Sequence, residues 1–357
     1  MARLIDPTEI LLRNRSALAA ERPLLIDPPN LGAAAYLSTE LGWPETHVLV
    51  RDYRLFRAWD KASEELRVSF GMIEADPARH DLALVLMPRG KRLLRMTISW
   101  LASVMPVDSR IVVAGGKRSG VISASQMMEP TMARVRRLDS ARHCVLVCGV
   151  LTENRPGFDL EQWSEIYELP VDDRQLKVAS LPGVFSDGEL DAGTARLLRH
   201  FEPGGPKRVL DVGCGQGAIG ATVAASLPRS EVIMTDVHAA AVESAKRTVE
   251  LNDLGNCTVV AADLYDETSG QFDLIVSNPP FHQGDETESS TVEAMISGAT
   301  DHLSTSGSLQ LVANRFLPYQ RELTRYFRKV SILYEDNRFR VWKASGARTE
   351  DDARSGT

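Results

Sequence analysis

The chain has 357 residues, 43% of them hydrophobic and 25% charged, and a formal net charge of −7. This length and apolar content suit two domains of ordinary size, each with its own core, and exclude a largely disordered protein. No run of about 18 consecutive apolar residues occurs, and the N-terminus is charged throughout instead of carrying the basic start and apolar block of a secretory signal, so we expect a cytoplasmic protein without a membrane segment.

The first half of the chain alternates apolar runs typical of buried strands with amphipathic helical segments. Strands are predicted at residues 23–30, 46–52, 67–72, 82–88, 110–116 and 144–151. Helices are predicted at residues 31–42, 53–66 and 89–105. This alternation indicates a mostly parallel sheet covered by helices.

The second half follows the same plan from residue 206 onward. Strands are predicted at residues 206–215, 230–237, 256–264, 271–281 and 307–314, and helices at 217–228, 238–253, 291–303 and 317–327. Two short strand-like runs, 330–336 and 337–345, then indicate a hairpin that adds an antiparallel edge strand. The region from about 151 to 205 is interpreted as a linker that leads into an N-terminal extension of the second domain.

The two halves resemble copies of one unit. Asp27 and Asp52 are 25 residues apart, as are Asp211 and Asp236, so the two openings superpose with one constant offset. The copies differ where chemistry is expected, because DPPNLGA and LMPRG in the first stand in place of DVGCGQG and SNPPF in the second. We therefore predict an α/β protein of two tandem Rossmann-like domains that arose by duplication, the first one degenerate.

The predicted boundaries place the degenerate domain at residues 1–170 and the catalytic domain at 171–346. The polar tail, 347–357, is predicted to be disordered. Residues 1–150 hold 21 Lys and Arg against 16 Asp and Glu, a net of +5, whereas the remaining 20 basic and 32 acidic residues give 151–357 a net of −12. The basic clusters at 87–95, 115–120 and 134–137 favour a polyanion on the first domain. Ordinary solvated charges would give the same pattern.

The four cysteines, Cys144, Cys148, Cys214 and Cys257, are too few and too scattered for a disulfide framework. The first two alternate with apolar residues on a predicted strand, which is typical of reduced core thiols. No spacing typical of zinc ligands occurs, and we predict no metal.

A glycine-rich turn joins the first predicted strand and helix of the second half. Gly213, Gly215 and Gly217 allow a tight turn and the close approach of a ligand. Asp211, just before them, is predicted to contact the cofactor or to brace the loop. Because nucleotide-binding Rossmann proteins share such a turn, it is a weak signal alone.

Acidic residues end the next two predicted strands. Asp236 is placed where a carboxylate accepts hydrogen bonds from both hydroxyls of a ribose. Asp263 is placed beside the expected adenine, with Val237 and Leu264 lining its slot. An acidic residue after the second strand is also typical of proteins that bind NAD. An acidic residue after the third strand, together with Ser-Asn-Pro-Pro-Phe after the fourth, is not typical of NAD-binding proteins.

Asn278, Pro279, Pro280 and Phe281 end the fourth strand with an unusually stiff corner. Each proline fixes its own φ and keeps the preceding residue extended, so the Asn278 side-chain oxygen and the Pro279 carbonyl become two fixed acceptors. Phe281 adds an aromatic plane. Two acceptors and a ring suit a planar group that carries an NH₂, whose lone pair they direct toward a methyl donor. A simple strand terminator is the alternative interpretation.

These motifs resemble the amino-group methyltransferases that use S-adenosylmethionine, and among them the C type of ribosomal RNA guanine-N2 methyltransferases, which modify the 16S RNA. The resemblance spans the whole chain and is carried by residues 181–193, 209–220, 277–284, 312–320 and 337–344. It implies methyl transfer from S-adenosylmethionine to the exocyclic N2 of one guanine in 16S rRNA, on the 30S subunit. We also expect a monomer, and no protein partner is evident from the sequence. The first domain would dock on RNA or assist folding of the second.

The resemblance also implies residue roles. Asn278 and Pro279 would bind N2, Phe281 would stack on the guanine, and Phe185 with Ser186 would lie near the methionine end of the cofactor. The target base must leave its stack to enter the pocket.

Four alternatives stay open at this point. The sister family that modifies guanine N2 in 23S rRNA shares SNPPFHQ and VANR. A release-factor glutamine methyltransferase typically has tyrosine in place of Phe281 and a helical first domain. An adenine-N6 DNA methyltransferase uses the same amine chemistry. A non-catalytic ribosome-assembly factor would show erosion at Asn278 or the glycines, which is seen only in the first half.

Overall fold

The computed structural model describes residues 7–59, 66–74, 79–186, 188–202, 204–279 and 286–348, without the side chains of 286–289. The described chain divides into two compact units between Ser164 and Glu165. None of the helices in these ranges is long and apolar enough to cross a membrane. Predicted site residues Pro280 and Phe281, and most of the tail predicted to be disordered, lie outside the described residues.

The first unit contains a seven-stranded sheet in the order β3-β2-β1-β4-β5-β7-β6. Its strands are β1 Pro23–Ile26, β2 Thr46–Val50, β3 Leu66–Phe70, β4 Leu82–Leu86, β5 Arg110–Gly116, β6 Ala133–Ala141 and β7 Cys144–Val150. Its helices are α1 Thr8–Arg13, α2 Leu31–Leu41, α3 Tyr53–Trp59, α4 Lys91–Val104 and α5 Ala124–Met128. Strands β1 to β5 pair in parallel, and β7 and β6 close the sheet with antiparallel pairing.

The second unit repeats this order as β12-β11-β10-β13-β14-β16-β15 and adds a two-stranded sheet, β8-β9. Its strands are β8 Glu165–Val171, β9 Arg174–Ser180, β10 Arg208–Val212, β11 Glu231–Asp236, β12 Cys257–Ala261, β13 Phe272–Ser277, β14 Leu303–Asn314, β15 Phe327–Glu335 and β16 Phe339–Ala347. Its helices are α6 Ala192–Arg199, α7 Ala218–Ser226, α8 Ala239–Leu251, α9 Glu286–His302 and α10 Tyr319–Tyr326. The α/β class, the duplication and the closing hairpin are as predicted.

Each large sheet is buried on both faces. In β1, Leu24 and Ile26 belong to one core cluster and Leu25 to another. In β10, Val209 and Leu210 divide in the same way. Helices therefore cover both sides, which explains why the central strands are continuous apolar runs.

Several elements were not predicted. Strand β6 contains the basic cluster at 134–137, for which the sequence predicts a surface that favours a polyanion but no strand. Strand β3 begins at Leu66, which lies in a predicted helix. The hairpin β8–β9 lies in the region interpreted as a linker. All four cysteines are free, and three of them are buried, as predicted.

The register of the repeat differs from the prediction by two residues. In both units the second strand pairs 23 residues after the first, Leu24 with His47 and Val209 with Val232. Asp27 and Gly213 each follow the first strand in a left-handed conformation. The Asp27 amide donates to the Leu49 carbonyl, and the Gly213 amide to the carbonyl of Thr235, 22 residues later in both cases.

Asp27 thus corresponds to Gly213, an offset of 213 − 27 = 186, and not to Asp211, which would give 184. Asp52 corresponds to His238 by the same offset, since each accepts the amide two residues on, from Arg54 and Ala240.

The outer edge of β9 is bound by side chains of α8. The amides of Lys177, Ala179 and Leu181 donate to the side chains of Asn252, Thr248 and Ser244, at 2.9, 3.0 and 2.9 Å. The Thr248 hydroxyl also donates to the Gln216 carbonyl at 2.9 Å, which joins the hairpin to the loop that follows β10.

Candidate active site

The loop between β10 and α7 is built from glycines in the left-handed region. Gly213, Gly215 and Gly217 have φ of 69°, 56° and 80°. A Cβ on Gly213 would meet nothing within 4 Å, whereas one on Gly217 would lie 3.1 Å from the Cβ of Ala245. Gly213 therefore leaves open space for a ligand, while Gly217 allows α7 to pack on α8.

Asp236 ends β11 beside this loop. Its Oδ2 accepts the Gly215 amide and its Oδ1 accepts the His238 amide, both at 2.9 Å. Burial raises the pKa of Asp236, and these two amides act in the opposite direction. Because a carboxylate oxygen has two lone pairs, each oxygen can accept one further hydrogen bond, as a ribose diol would supply.

Asp211 is fully buried behind the loop. Its Oδ2 accepts the Gly220 amide at 2.8 Å, and its Oδ1 has no partner among the described residues. Burial, with the nearby charge of Asp236, raises the pKa of Asp211 to about 7. This contact joins β10 to α7, which corresponds to the bracing role left open by the sequence.

Asp263, Val237 and Leu264 lie at the same carboxyl edge of the sheet, and all three are partly buried. The Ala262 amide donates to the Asp236 carbonyl at 3.0 Å, so Asp263 follows directly after this contact. The Leu264 carbonyl accepts the Thr235 hydroxyl at 3.1 Å. The predicted adenine-side residues are therefore gathered next to Asp236.

The segment that contains Phe185 lies against the glycine loop. Val184 Cγ1 is 3.9 Å from the position that a Cβ on Gly215 would take, and Gln216 Nε2 donates to the Glu189 carbonyl at 2.9 Å. Phe185 itself is 64% exposed. An apolar ring is thus presented next to the loop.

Asn278 directly follows β13. Its Nδ2 donates to Asp191 Oδ2 and to Thr194 Oγ1, both at 2.8 Å. Its Oδ1 is buried and has no hydrogen-bond partner within the described ranges. The hydroxyl of Ser277 donates to the Val212 carbonyl at 2.7 Å, which fixes this corner to the end of β10. Pro279 is buried.

Asp191 and Thr194 bind the side chain of Asn278 and are not among the predicted site residues. Asp191 is the N-cap of α6 and accepts the Thr194 amide at 2.9 Å, a pattern recognisable from sequence. Their contact with Asn278 was not recognisable, because it joins residues that are 87 and 84 positions apart in the sequence.

Cys214 is buried, and burial raises the pKa of its thiol well above the usual value. The thiol is therefore protonated, and it packs in the core and does not act as a nucleophile.

The corresponding edge of the first sheet holds an ion pair. Arg51 Nη1 lies 2.5 Å from Asp27 Oδ2, and Arg51 Nη2 donates to the Met72 carbonyl and the Thr97 hydroxyl at 3.2 and 2.8 Å. The Arg51 side chain is 1% exposed. By the offset of 186, Val50 stands where the second unit has Asp236, so this edge lacks a carboxylate at that position.

The first unit also contains a buried cluster of His47, Glu74 and His80 whose donor atoms lie within 4.8 Å of one another, a group of the kind that can hold a metal ion. Glu74 Oε1 is 2.5 Å from His47 Nδ1, and Glu74 Oε2 is 3.0 Å from His80 Nε2. Burial would raise the pKa of Glu74, but the hydrogen bonds and charges of both histidines lower it to about 2.

Exposed cations lie at the carboxyl edge of β4 and β5. We define the basic edge as Arg89, Lys91, Lys117 and Arg118, all exposed and, within the described ranges, outside any ion pair. Lys91 Cε lies 3.6 Å from the position that a Cβ on Gly120 would take, so the clusters at 87–95 and 115–120 adjoin. Two of the predicted basic clusters therefore form one surface.

Comparison with known families matches both units. The family described as "Methyltransferase small domain N-terminal" matches residues 8–167, and "Methyltransferase small domain" matches residues 175–343.

Similar proteins extend over nearly the whole chain. The "Ribosomal RNA small subunit methyltransferase C" of Erwinia tasmaniensis is 35% identical over 350 residues, 98% of this chain and 99% of the relative. The protein of the same name from Serratia proteamaculans is 34% identical over 356 residues, 99% of each. A solved T. thermophilus 16S rRNA N2 methyltransferase in complex with AdoMet and guanosine has a TM-score of 0.80 at 22% identity, covering 95% of this chain and 92% of that one. This structural likeness confirms the predicted fold.

Proposed function

The chain belongs to the family of the ribosomal RNA small subunit methyltransferases C, and we propose that it methylates the exocyclic N2 of one guanine in 16S rRNA with S-adenosylmethionine. We further propose that it acts as a cytoplasmic monomer on the assembled 30S subunit. The observation that carries this proposal is the Asn278 amide, whose NH₂ is bound inside the protein while its buried oxygen lacks a donor among the described residues.

The cofactor site is assigned to the carboxyl edge of β10, β11 and β12. The open space at Gly213 and the free lone pairs of Asp236 suit the close approach of a nucleoside. Asp236 would bind the ribose, and Asp263, Val237 and Leu264 would surround the adenine. S-adenosylmethionine supplies an electrophilic methyl group when bound.

The amine site is assigned to the corner after β13. A buried acceptor without a donor costs about 1–3 kcal/mol, and an N–H of the guanine N2 would remove that cost. Accepting this hydrogen, with the Pro279 carbonyl accepting the second, localises the nitrogen lone pair. The lone pair forms the new N–C bond, the C–S electron pair stays on sulfur, and the extra proton leaves to water. Phe281 is proposed to stack on the base.

The basic edge is proposed as the RNA-docking surface of the first domain. Its exposed cations can neutralise phosphates and so increase affinity without reading sequence. A matched pair of variants tests this. Lys91→Glu/Lys117→Glu should weaken 30S binding about tenfold or more and reduce its salt dependence, whereas Arg174→Glu/Lys177→Glu, at exposed positions of the second unit and with the same change in charge, should change both little.

Methyl transfer from labelled S-adenosylmethionine to isolated 30S, 50S, naked rRNA and release factors, followed by mapping of the labelled nucleoside, tests the activity. We expect label on N2 of a single guanine in 30S. Label in 50S would favour the 23S alternative, and label in protein would favour glutamine methylation. Absence of label from every substrate would support an assembly factor without catalysis.

A further inference from the structure

We propose that Asp191 and Thr194 are positioning residues that fix the orientation of the Asn278 amide, so that its oxygen and not its nitrogen faces the substrate. This inference rests on the proposed amine methylation and adds a specificity device to it. The two residues belong to the first turn of α6, and Asn278 lies in a different part of the chain.

The orientation is dictated by charge. An ionised carboxylate only accepts hydrogen bonds, so the amide group that faces Asp191 Oδ2 at 2.8 Å is the NH₂. Its second hydrogen is taken by Thr194 Oγ1, also at 2.8 Å. Rotating the amide by 180° would place its oxygen against the carboxylate and lose that bond. Asp191 therefore excludes the flipped state.

The fixed orientation decides which substrate group is recognised. With its Nδ2 held by Asp191 and Thr194, Asn278 keeps Oδ1 available as an acceptor for an N–H of the guanine N2. With the amide flipped, it would offer two N–H donors, which suit a carbonyl or a ring nitrogen and repel an amine. Asp191 and Thr194 thus select a substrate group that donates hydrogen bonds to Asn278.

The same Asp191 oxygen also accepts the Thr194 amide at 2.9 Å, so one atom caps α6 and holds Asn278. Gly193, between them, leaves little spare room, because a Cβ there would lie 2.9 Å from Asp191 Oδ2 and 3.4 Å from Asn278 Oδ1. A test must therefore separate helix capping from amide orientation.

Five variants make that separation. Asp191→Asn keeps an accepting oxygen, Asp191→Ser keeps the cap but is too short to reach Asn278, and Asp191→Ala loses both. Thr194→Ser keeps the hydroxyl, and Thr194→Val removes it at nearly constant shape. Asn30→Ala removes a different helix cap, that of α2, and serves as the stability control.

Single-turnover rates on 30S, the KM for 30S, cofactor affinity and Tm are measured for each. We expect Asp191→Ser and Thr194→Val to lower the rate about 10- to 100-fold while the Tm of Asp191→Ser stays near wild type. Asp191→Asn should lose part of the rate, because its amide can donate as well as accept and no longer excludes the flipped state. Thr194→Ser should keep most of the rate, and cofactor affinity should not change in any variant. Wild-type rates in Asp191→Ser and Thr194→Val, or losses that follow Tm alone, would overturn the inference. Lack of guanine-N2 product from the wild-type enzyme would instead refute the proposed function.

Discussion

The carboxyl edges of the two large sheets share one strand order and one register but not one chemistry. In the second unit, Gly213 opens the loop and Asp236 faces it. In the first, Asp27 takes the place of Gly213, and its carboxylate forms an ion pair with Arg51. The comparison shows that apolar strands are enough to maintain this fold. Whether the fold suits a cofactor depends on a few polar residues and glycines at one edge of the sheet.

The fourth strands make the same point. Leu24 pairs with Ala83, and Leu210 pairs with Ile275, so Leu86 at the end of β4 corresponds to Asn278. Leu86 is 8% exposed and carries no acceptor on its side chain. The first sheet therefore lacks a side-chain hydrogen-bond acceptor at the position that corresponds to Asn278.

The largest effect is expected from a variant at Asn278 that removes this difference between the two sheets. Asn278→Ala makes the second unit resemble the first, and we expect the methylation rate to fall roughly a thousandfold because a fixed acceptor is lost. Cofactor affinity should remain near wild type. Methyl transfer to 30S and calorimetric cofactor binding measure the two.

Asn256→Ala is the matched control, because Asn256 also donates through Nδ2, to the carbonyls of Ala224, Leu227 and Ser230. It should reduce stability and leave the rate per folded molecule unchanged. Full activity of Asn278→Ala would contradict its proposed role.

One buried carboxyl group in each unit, Glu74 in the first and Asp211 in the second, should make stability depend on pH in opposite directions. Glu74 has a lowered pKa of about 2, so its contribution to the first unit is complete above about pH 5 and is lost as the pH falls toward 2. Asp211 has a pKa raised to about 7, so the second unit is most stable when this group is protonated and loses stability as the pH rises from about 4 to 7. Each effect is on the order of 3 kcal/mol.

Hydrogen–deuterium exchange at pH 3, 5 and 7.5 separates the units. Glu74→Gln should reduce the acid response of the first unit, and Asp211→Asn should reduce the neutral response of the second. An unchanged pH profile in either variant would contradict the corresponding assignment.

A third experiment makes the first unit resemble the second. Asp27→Gly leaves the buried Arg51 guanidinium without its carboxylate, and we expect a loss of about 2 kcal/mol, reduced from the value of a fully buried pair because the Asp27 side chain is 21% exposed. Adding Arg51→Met should recover much of this loss. Urea unfolding measures both, and additive losses would show that the pair is not coupled.

The smallest effects are expected from alanine substitutions at two glycines of the loop, Gly213 beside open space and Gly217 in a packed position. Gly213→Ala should cost about 1 kcal/mol from its left-handed backbone and, since its Cβ enters the open space, weaken cofactor binding. Gly217→Ala should destabilise the unit more, because its Cβ meets Ala245. Equal effects of both variants on cofactor affinity and on Tm would remove the distinction.

Much of this architecture could be predicted from sequence because the central strands are long apolar runs. Strand β6 escaped because it lies at an edge and is half charged, so it lacks a hydrophobic alternation. The glycines and aspartates proposed to bind the cofactor could be selected from the sequence because they lie at the carboxyl ends of predicted strands. Asp191 and Thr194 were missed because no local pattern encodes which distant side chain a helix cap will touch. The spacing between aspartates also gave a wrong alignment of the two units, because Asp27 and Asp211 occupy different positions in the strand pairing of their sheets.

The side chains of α8 that bind β9 have a geometric basis. Two residues of a strand advance about 6.8 Å, and four residues of a helix advance about 6 Å, so the two repeats are nearly commensurate. Ser244, Thr248 and Asn252 can therefore act as a surrogate strand for Leu181, Ala179 and Lys177. Strand β9 thus uses its outer edge to bind the helix α8, which protects that edge from pairing with a second chain.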